Sequence, residues 1–322
     1  MIYIPFDKHT SLGGPSTFMQ NLQADLDREQ YPYHEEYKKG DSIFFPIRFD
    51  FGVLKKIKKH GGAIIQRLDG VYYPSHHGSA YKKRNQRIQE VYLDYADTVV
   101  FQSDYCRLQC QEMLGKRDSD KDVTICNGVD PEIFFPADAA PLVGDCIEFI
   151  TTGNFRRRLM LEPILNALES LKPRCAFRLH IVGPVKEELT DLVASRNYVV
   201  LHGNQTLHEV GQQLRRCHVY LFSNLNPPCP NSVLEAAATG LPVVSFDGGS
   251  LPELLPFSTE LLAPVSSDLI QLEEDLRPER LSEKIELVIN DLPKFETLAR
   301  THAGDFPFSK CGEKYRELFD SV

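Results

Sequence analysis

The chain has 322 residues, 42% of them hydrophobic and 25% charged, with a formal charge of -9 at pH 7. That length exceeds one hydrophobic core and suits two domains, and the composition excludes a disordered or fibrous protein. The acidic balance argues against wholesale attraction to nucleic acid, while the basic clusters KKIKK at 55–59 and KKRNQR at 82–87 leave room for contact with phosphate or an acidic surface, a membrane face included.

The opening MIYIPFDKHT lacks the basic region and long apolar run of a secretory signal, and Ile2 to Phe6 reads as a first strand. The loop HTSLGGPS then leads into a helical pattern with Phe18, Leu22 and Leu26 on one face. Short apolar runs at Ser42 to Pro46, Ala63 to Ile65 and Thr98 to Phe101 alternate with amphipathic pieces, the rhythm of a parallel sheet covered by helices. An Asn-Gly turn and two prolines in VTICNGVDPEIFFPADAAP place a domain boundary near Ala137 to Gly144.

The alternation then restarts. The strands IEFITTG, FRLHIVG, YVVLHG and VYLFS are each followed by a helical stretch, and LPVVSFDGG supplies one more strand and a glycine turn. Near the end, Tyr315, Leu318 and Phe319 form the apolar side of a terminal helix that packs rather than floats. The fold class is therefore α/β, with domains at 1–138 and 139–295 and a helical segment at 296–322 expected to pack back toward the first domain. No stretch approaches the roughly 20 apolar residues that cross a bilayer, so a cytoplasmic location is the expectation. Eight cysteines are too sparse for a disulfide scaffold in a chain of this length and read as reduced thiols.

Open parallel sheets bind ligands beyond the carboxyl ends of their strands, where helix N-termini present backbone N–H groups to phosphate. Three such ends carry glycine: GGPS at 13–16, TTGNFRRR at 151–158 and DGGS at 247–250. The most distinctive segment is PPCPNSVLEAAATGLPVVSFDGGSLPEL, residues 227–254. There Asn231 or Ser232 is expected to cap a small-residue helix, and Glu235 stands near its first turn. No His-Glu-x-x-His motif is present, and no metal site is expected.

PNSVLEAAATGLPVV followed by GGSLPEL resembles the donor signature of the retaining nucleotide-sugar glycosyltransferases with the GT-B fold, the group 1 or family 4-like enzymes. GGPSTF, ADTVVFQSD at 96–104, ICNGVDPEIFFP at 125–136 and HIVG at 180–183 extend the likeness in the same order across most of the chain. It implies two Rossmann-like domains flanking a central cleft, and retaining transfer of a sugar from a nucleotide-sugar donor, UDP- or GDP-linked, to an acceptor hydroxyl, without cofactor or metal.

The likeness also assigns residues. Glu235 resembles the acid that holds the nucleotide ribose, and Arg156, Arg157 and Arg158 the cations that hold the diphosphate; Gly13, Gly14, Gly153, Gly248 and Gly249 resemble the turns that approach donor phosphate or sugar, with Asn231, Ser232 and Glu253 beside them. The family places a second glutamate eight positions before the helix glutamate, but Pro227 stands there, and no acid occurs from Val219 through Leu234. Asn224, Asn226 and Asn231 are the neutral alternatives. The family's acceptor-side histidine is replaced by Gln66 and Arg67, leaving Asp69 as the candidate that orients the acceptor hydroxyl. The alternatives are a GT-B relative that binds without transferring and a dinucleotide oxidoreductase; against the latter, no strand ends in a complete Gly-x-Gly-x-x-Gly turn.

Overall fold

The structure is a computed structural model, and it describes residues 1–6, 14–117, 119–139, 141, 146–171 and 175–322. Gly13 lies outside the described residues. The chain divides into one unit of Met1–Gly128 with Phe308–Val322 and a second of Val129–Pro307. The sequence alone sets these boundaries at 138 and 295.

The first unit is built on β1 (Ile2–Tyr3), β2 (Tyr33–His34), β3 (Ser42–Pro46), β4 (Ile64–Leu68), β5 (Thr98–Phe101) and β6 (Val123–Thr124). They form a parallel sheet in the order β2-β1-β3-β4-β5-β6. β4 and β5 are buried at every position; β5 accordingly reads as an apolar run without alternation, while β4 also buries Gln66 and Arg67. The first strand is shorter than the sequence suggests: pairing ends at Tyr3, and Phe6 N–H turns back to the Ile4 carbonyl at 2.9 Å.

Helices cover both faces of this sheet. On one, Leu54 and Ile57 of the helix Phe51–Lys59 and Val91 pack on β3 and β4, next to Ile88, Cys106 and Cys110 from the following helices. On the other, the helix Gly14–Arg28 and the final helix Phe308–Asp320 meet β1, β3 and β4 through Phe18, Leu22, Phe44, Tyr315 and Phe319. All eight cysteines are free.

The last helix is held by one buried charge. Asp25 is 1% exposed and accepts from both Arg28 and Arg316, yet burial still raises its carboxyl above the ordinary value. Gly312 sits directly over this carboxylate, and a Cβ there would collide with it.

The second unit contains β7 (Ile147–Thr152), β8 (Phe177–Val182), β9 (Val199–Gly203), β10 (Val219–Leu221), β11 (Val243–Phe246) and β12 (Leu262–Ala263). All are parallel, in the order β12-β11-β10-β7-β8-β9. Strand order reverses between β7 and β10, the position at which doubly wound sheets open a crevice.

Gly312→Val should destabilise the protein by about 1–3 kcal/mol, because the added side chain must displace either the final helix or the Asp25 carboxylate. Urea unfolding measures this; a midpoint equal to that of the parent would show that the last helix does not dock through Gly312.

Candidate functional site

The carboxyl ends of β7, β8, β10 and β11 share one edge of the second sheet, so four loops meet there. The loops after β7 and β8 run together: Phe155 N–H donates to the Pro184 carbonyl at 2.9 Å, and Lys186 N–H to the Phe155 carbonyl at 3.0 Å. Their approach is so close that a Cβ on Gly183 would strike the Gly153 carbonyl. Gly153 itself is half-buried at the start of this pair.

The loops after β10 and β11 are clamped in the same way. Ser250 N–H donates to the Pro227 carbonyl at 2.9 Å. Gly249 has φ +63° and leaves no room for a side chain, since its Cβ would overlap the Pro227 backbone. Gly248 is half-buried beside it, and a Cβ there would lie 3.4 Å from Gln271 Oε1. Pro227 thus joins two loops by backbone and ring contacts, at the position where the family places an acid.

The neutral alternatives are placed differently from one another. Asn226, at φ +53° and 2% exposed, uses its amide to hold the Gln271 backbone, donating to the carbonyl at 3.1 Å and accepting from the N–H at 2.8 Å. It is a structural latch. Asn224 accepts from the next residue's N–H at 2.9 Å. Asn231 and Ser232 do not cap the helix, contrary to the expectation: they lie inside its first turn, and Pro230 holds the cap position, where no side chain closes the helix end. Proline suits this position because its fixed φ preorganises the chain for the turn.

The helix Asn231–Ala238 buries Val233, Leu234 and its three alanines, which leaves Asn231, Ser232 and Glu235 along one polar edge. Tyr220, fully buried on β10, ties this edge to β7: its hydroxyl lies 3.2 Å from Thr152 Oγ1, hydrogen-bonds the Ser232 side chain and sits near the Glu235 charge. Burial pushes this phenol up to about 12. Thr152 and Tyr220 were not identified from sequence; a hydroxyl within a buried apolar run, at the end of IEFITT and in the middle of VYL, is the signal.

Glu235 is half-buried, and burial raises its carboxyl to about 7. No side chain among the described residues forms an ion pair with it. A carboxylate on a helix edge whose desolvation no cation compensates can accept hydrogen bonds from donors outside the protein.

The three adjacent arginines separate. Arg158 is exposed and paired with Glu162 at 2.5 Å, one turn along the same surface, so it does not point to the loop edge as an unengaged cation. Arg157 is half-buried, and Arg156 is exposed beside the paired loops after β7 and β8. Glu253 is exposed on the short helix Leu251–Leu254.

In the first unit, Asp69 follows β4 and its side chain is 9% exposed. One carboxylate oxygen accepts from Arg67 and from Gln102, and the other is buried with no hydrogen-bond partner among the described residues. Arg67, 1% exposed, lies 3.6 Å from the centre of the Phe18 ring and donates to Asn127 at 2.8 Å, and Asn127 in turn donates to Gln102 at 3.0 Å. Burial raises Asp69 above its usual range while Arg67 and Gln102 draw it down. The sequence alone does not disclose this cage, because its members stand 60 positions apart. Gly14 opens the helix Gly14–Arg28, and a Cβ there would meet no atom within 4 Å.

Two doubly wound parallel units define the class of this protein: it has the GT-B fold. Residues 147–291, within the second unit, match the family model described as Glycosyl transferases group 1. HepE of Anabaena, solved with UDP and glucose, aligns with a TM-score of 0.73 at 14% identity, covering 100% of this chain and 99% of its own. Sucrose-phosphate synthase of Thermosynechococcus elongatus aligns with a TM-score of 0.75 at 15% identity, covering 100% and 98%. WaaG, a glycosyltransferase involved in lipopolysaccharide biosynthesis, aligns with a TM-score of 0.70 at 13% identity over 100% of both chains. No curated protein matches the chain in sequence.

Glu235→Gln should stabilise the free protein at alkaline pH. The folded carboxyl titrates at about 7, above its ordinary value of 4.5, so its favourable contribution is complete below pH 4.5 and is lost as pH rises through 7. The variant should therefore exceed the parent by on the order of 2 kcal/mol at pH 8, with the difference vanishing near pH 4. Denaturation across this range tests it, and a pH-independent difference would contradict the assignment.

Proposed function

We propose that this protein is a retaining glycosyltransferase that moves a sugar from a nucleoside-diphosphate donor to an acceptor hydroxyl. The observation that carries the reading is Glu235, a half-buried carboxylate raised to about 7 just past the first turn of an uncapped helix beside the strand-order reversal. Ribose hydroxyls donate to it, and the helix start and the Gly248–Gly249 turn offer backbone N–H groups to the donor. UDP is the first donor to test, since HepE is solved with UDP-glucose; GDP-sugars follow.

Arg156 supplies charge to the diphosphate, with Arg157 in support and Arg158 held aside by Glu162. In the transfer, the bond from the anomeric carbon to phosphate oxygen breaks and a bond to the acceptor oxygen forms on the same face. The acceptor proton passes to the departing phosphate, whose charge the arginine and backbone N–H groups stabilise. Asp69, aligned by Arg67 and Gln102, orients the acceptor hydroxyl in the first unit. The chemistry assigns no step to a metal ion or cofactor, and the protein acts in the cytoplasm.

A second reading, nucleotide-sugar binding without transfer, is favoured by Pro227, which offers no carboxylate to the donor sugar and spends its carbonyl on Ser250. Incubation with UDP- and GDP-sugars and a panel of hydroxyl acceptors, with products resolved by NMR, separates the two. Transfer with retained anomeric configuration, persisting after chelation, is the expected result. Arg156→Ala should lower turnover by roughly 10²–10³, while Arg158→Ala stays near the parent. Donor binding without any product would establish the second reading, and an inverted product or rescue by a divalent ion would overturn the mechanism.

A further inference from the structure

The basic clusters at 55–59 and 82–87 take no part in the site above. They lie on the helices Phe51–Lys59 and Tyr81–Glu90. The first helix connects β3 to β4, and the second lies between β4 and β5. These strands are parallel and adjacent in that order, so right-handed connections bring both helices to one face of the sheet. They also touch: the Arg87 guanidinium lies 5.1 Å from the centre of the Phe51 ring.

Leu54, Ile57, Asn85 and Ile88 turn inward, which leaves all the cations of both helices exposed. The first helix contains four lysines and no acid; the second contains two lysines and two arginines against Glu90 alone. Among the described residues, Lys58 is the only one of these cations in an ion pair, with Asp97. A chain of net charge -9 therefore concentrates unneutralised positive charge on one pair of neighbouring helices, against its overall balance.

From this we infer that the face formed by the two helices is a docking surface for an anionic lipid bilayer. Charge selects an acidic partner. The same layer of helices exposes Leu93, 42% accessible just beyond the second helix, and Leu108, 52% accessible on the helix Asp104–Leu114. A headgroup region accommodates apolar side chains beside lysines and arginines, whose long stems keep their charges at the phosphates, whereas a nucleic-acid backbone has no use for exposed leucines. The negative charge elsewhere is screened over about 8 Å at physiological ionic strength and does not prevent contact through this face. No described helix is long and apolar enough to cross a membrane, so the contact is peripheral. It is independent of sugar transfer, because none of these side chains belongs to the site.

The test is co-sedimentation of the full chain with vesicles of phosphatidylcholine alone and of phosphatidylcholine mixed with phosphatidylglycerol. The parent should sediment with the mixed vesicles, not with the neutral ones, and be released by molar salt. Reversal of four unpaired lysines, Lys55→Glu, Lys59→Glu, Lys82→Glu and Lys83→Glu, should lower partitioning by at least about tenfold while leaving circular dichroism unchanged. Lys310→Glu with Lys314→Glu, on the final helix, should bind as the parent does. Absence of parent binding, equal binding by the fourfold variant, or binding of duplex RNA in preference to the mixed vesicles would overturn the inference.

Discussion

The site in the second unit depends on one backbone contact, the closure of the loop after β10 against the turn after β11. Pro227 accepts from Ser250 N–H, and its backbone fills the space where any residue but glycine at 249 would place a Cβ. Because all the strands are parallel, every loop of this edge starts from a buried carboxyl end, and closing this pair fixes where the helix Asn231–Ala238 begins. The position of Glu235 follows from that start. Its raised pKa is the electrostatic cost of holding a carboxylate there without a cation, and the nucleotide is the proposed source of compensation.

The two units use buried charge differently. Asp25 and Asp69 are paired with arginines and remain raised by burial, Asp25 joining the terminal helix to the helix Gly14–Arg28 and Asp69 closing a cage at the end of β4. Glu235 has no such partner among the described residues. A buried ion pair that loses one member leaves the other charge uncompensated, so arginine and carboxylate constrain each other in the first two cases. In the third, the proposed partner is a ligand.

Much of the architecture was legible in the sequence because buried parallel strands read as short apolar runs, and Ser42 to Pro46 and Thr98 to Phe101 coincide with β3 and β5. The resemblance of the 227–254 segment located the helix carrying Glu235, while its cap escaped: Asn231 and Ser232 are good capping residues by type, but Pro230 takes that position. Three successive arginines look equivalent in sequence; the turn after β7 separates them, and Glu162, four positions on, engages Arg158. Contacts between distant positions, such as Arg67 with Asn127 and Gly312 over Asp25, leave no local pattern to read.

The central claim is that Glu235 receives the nucleotide, and proton linkage tests it most directly. At pH 7 a carboxyl titrating at about 7 is near half protonation, and hydrogen bonds donated by ribose hydroxyls favour its ionised form. Calorimetric titration of UDP in buffers of different ionisation enthalpy should therefore register release of up to about half a proton per nucleotide bound, and Glu235→Gln should abolish the release while weakening binding. Proton release that persists in the variant, or UDP binding of parental affinity without Glu235, would contradict the account.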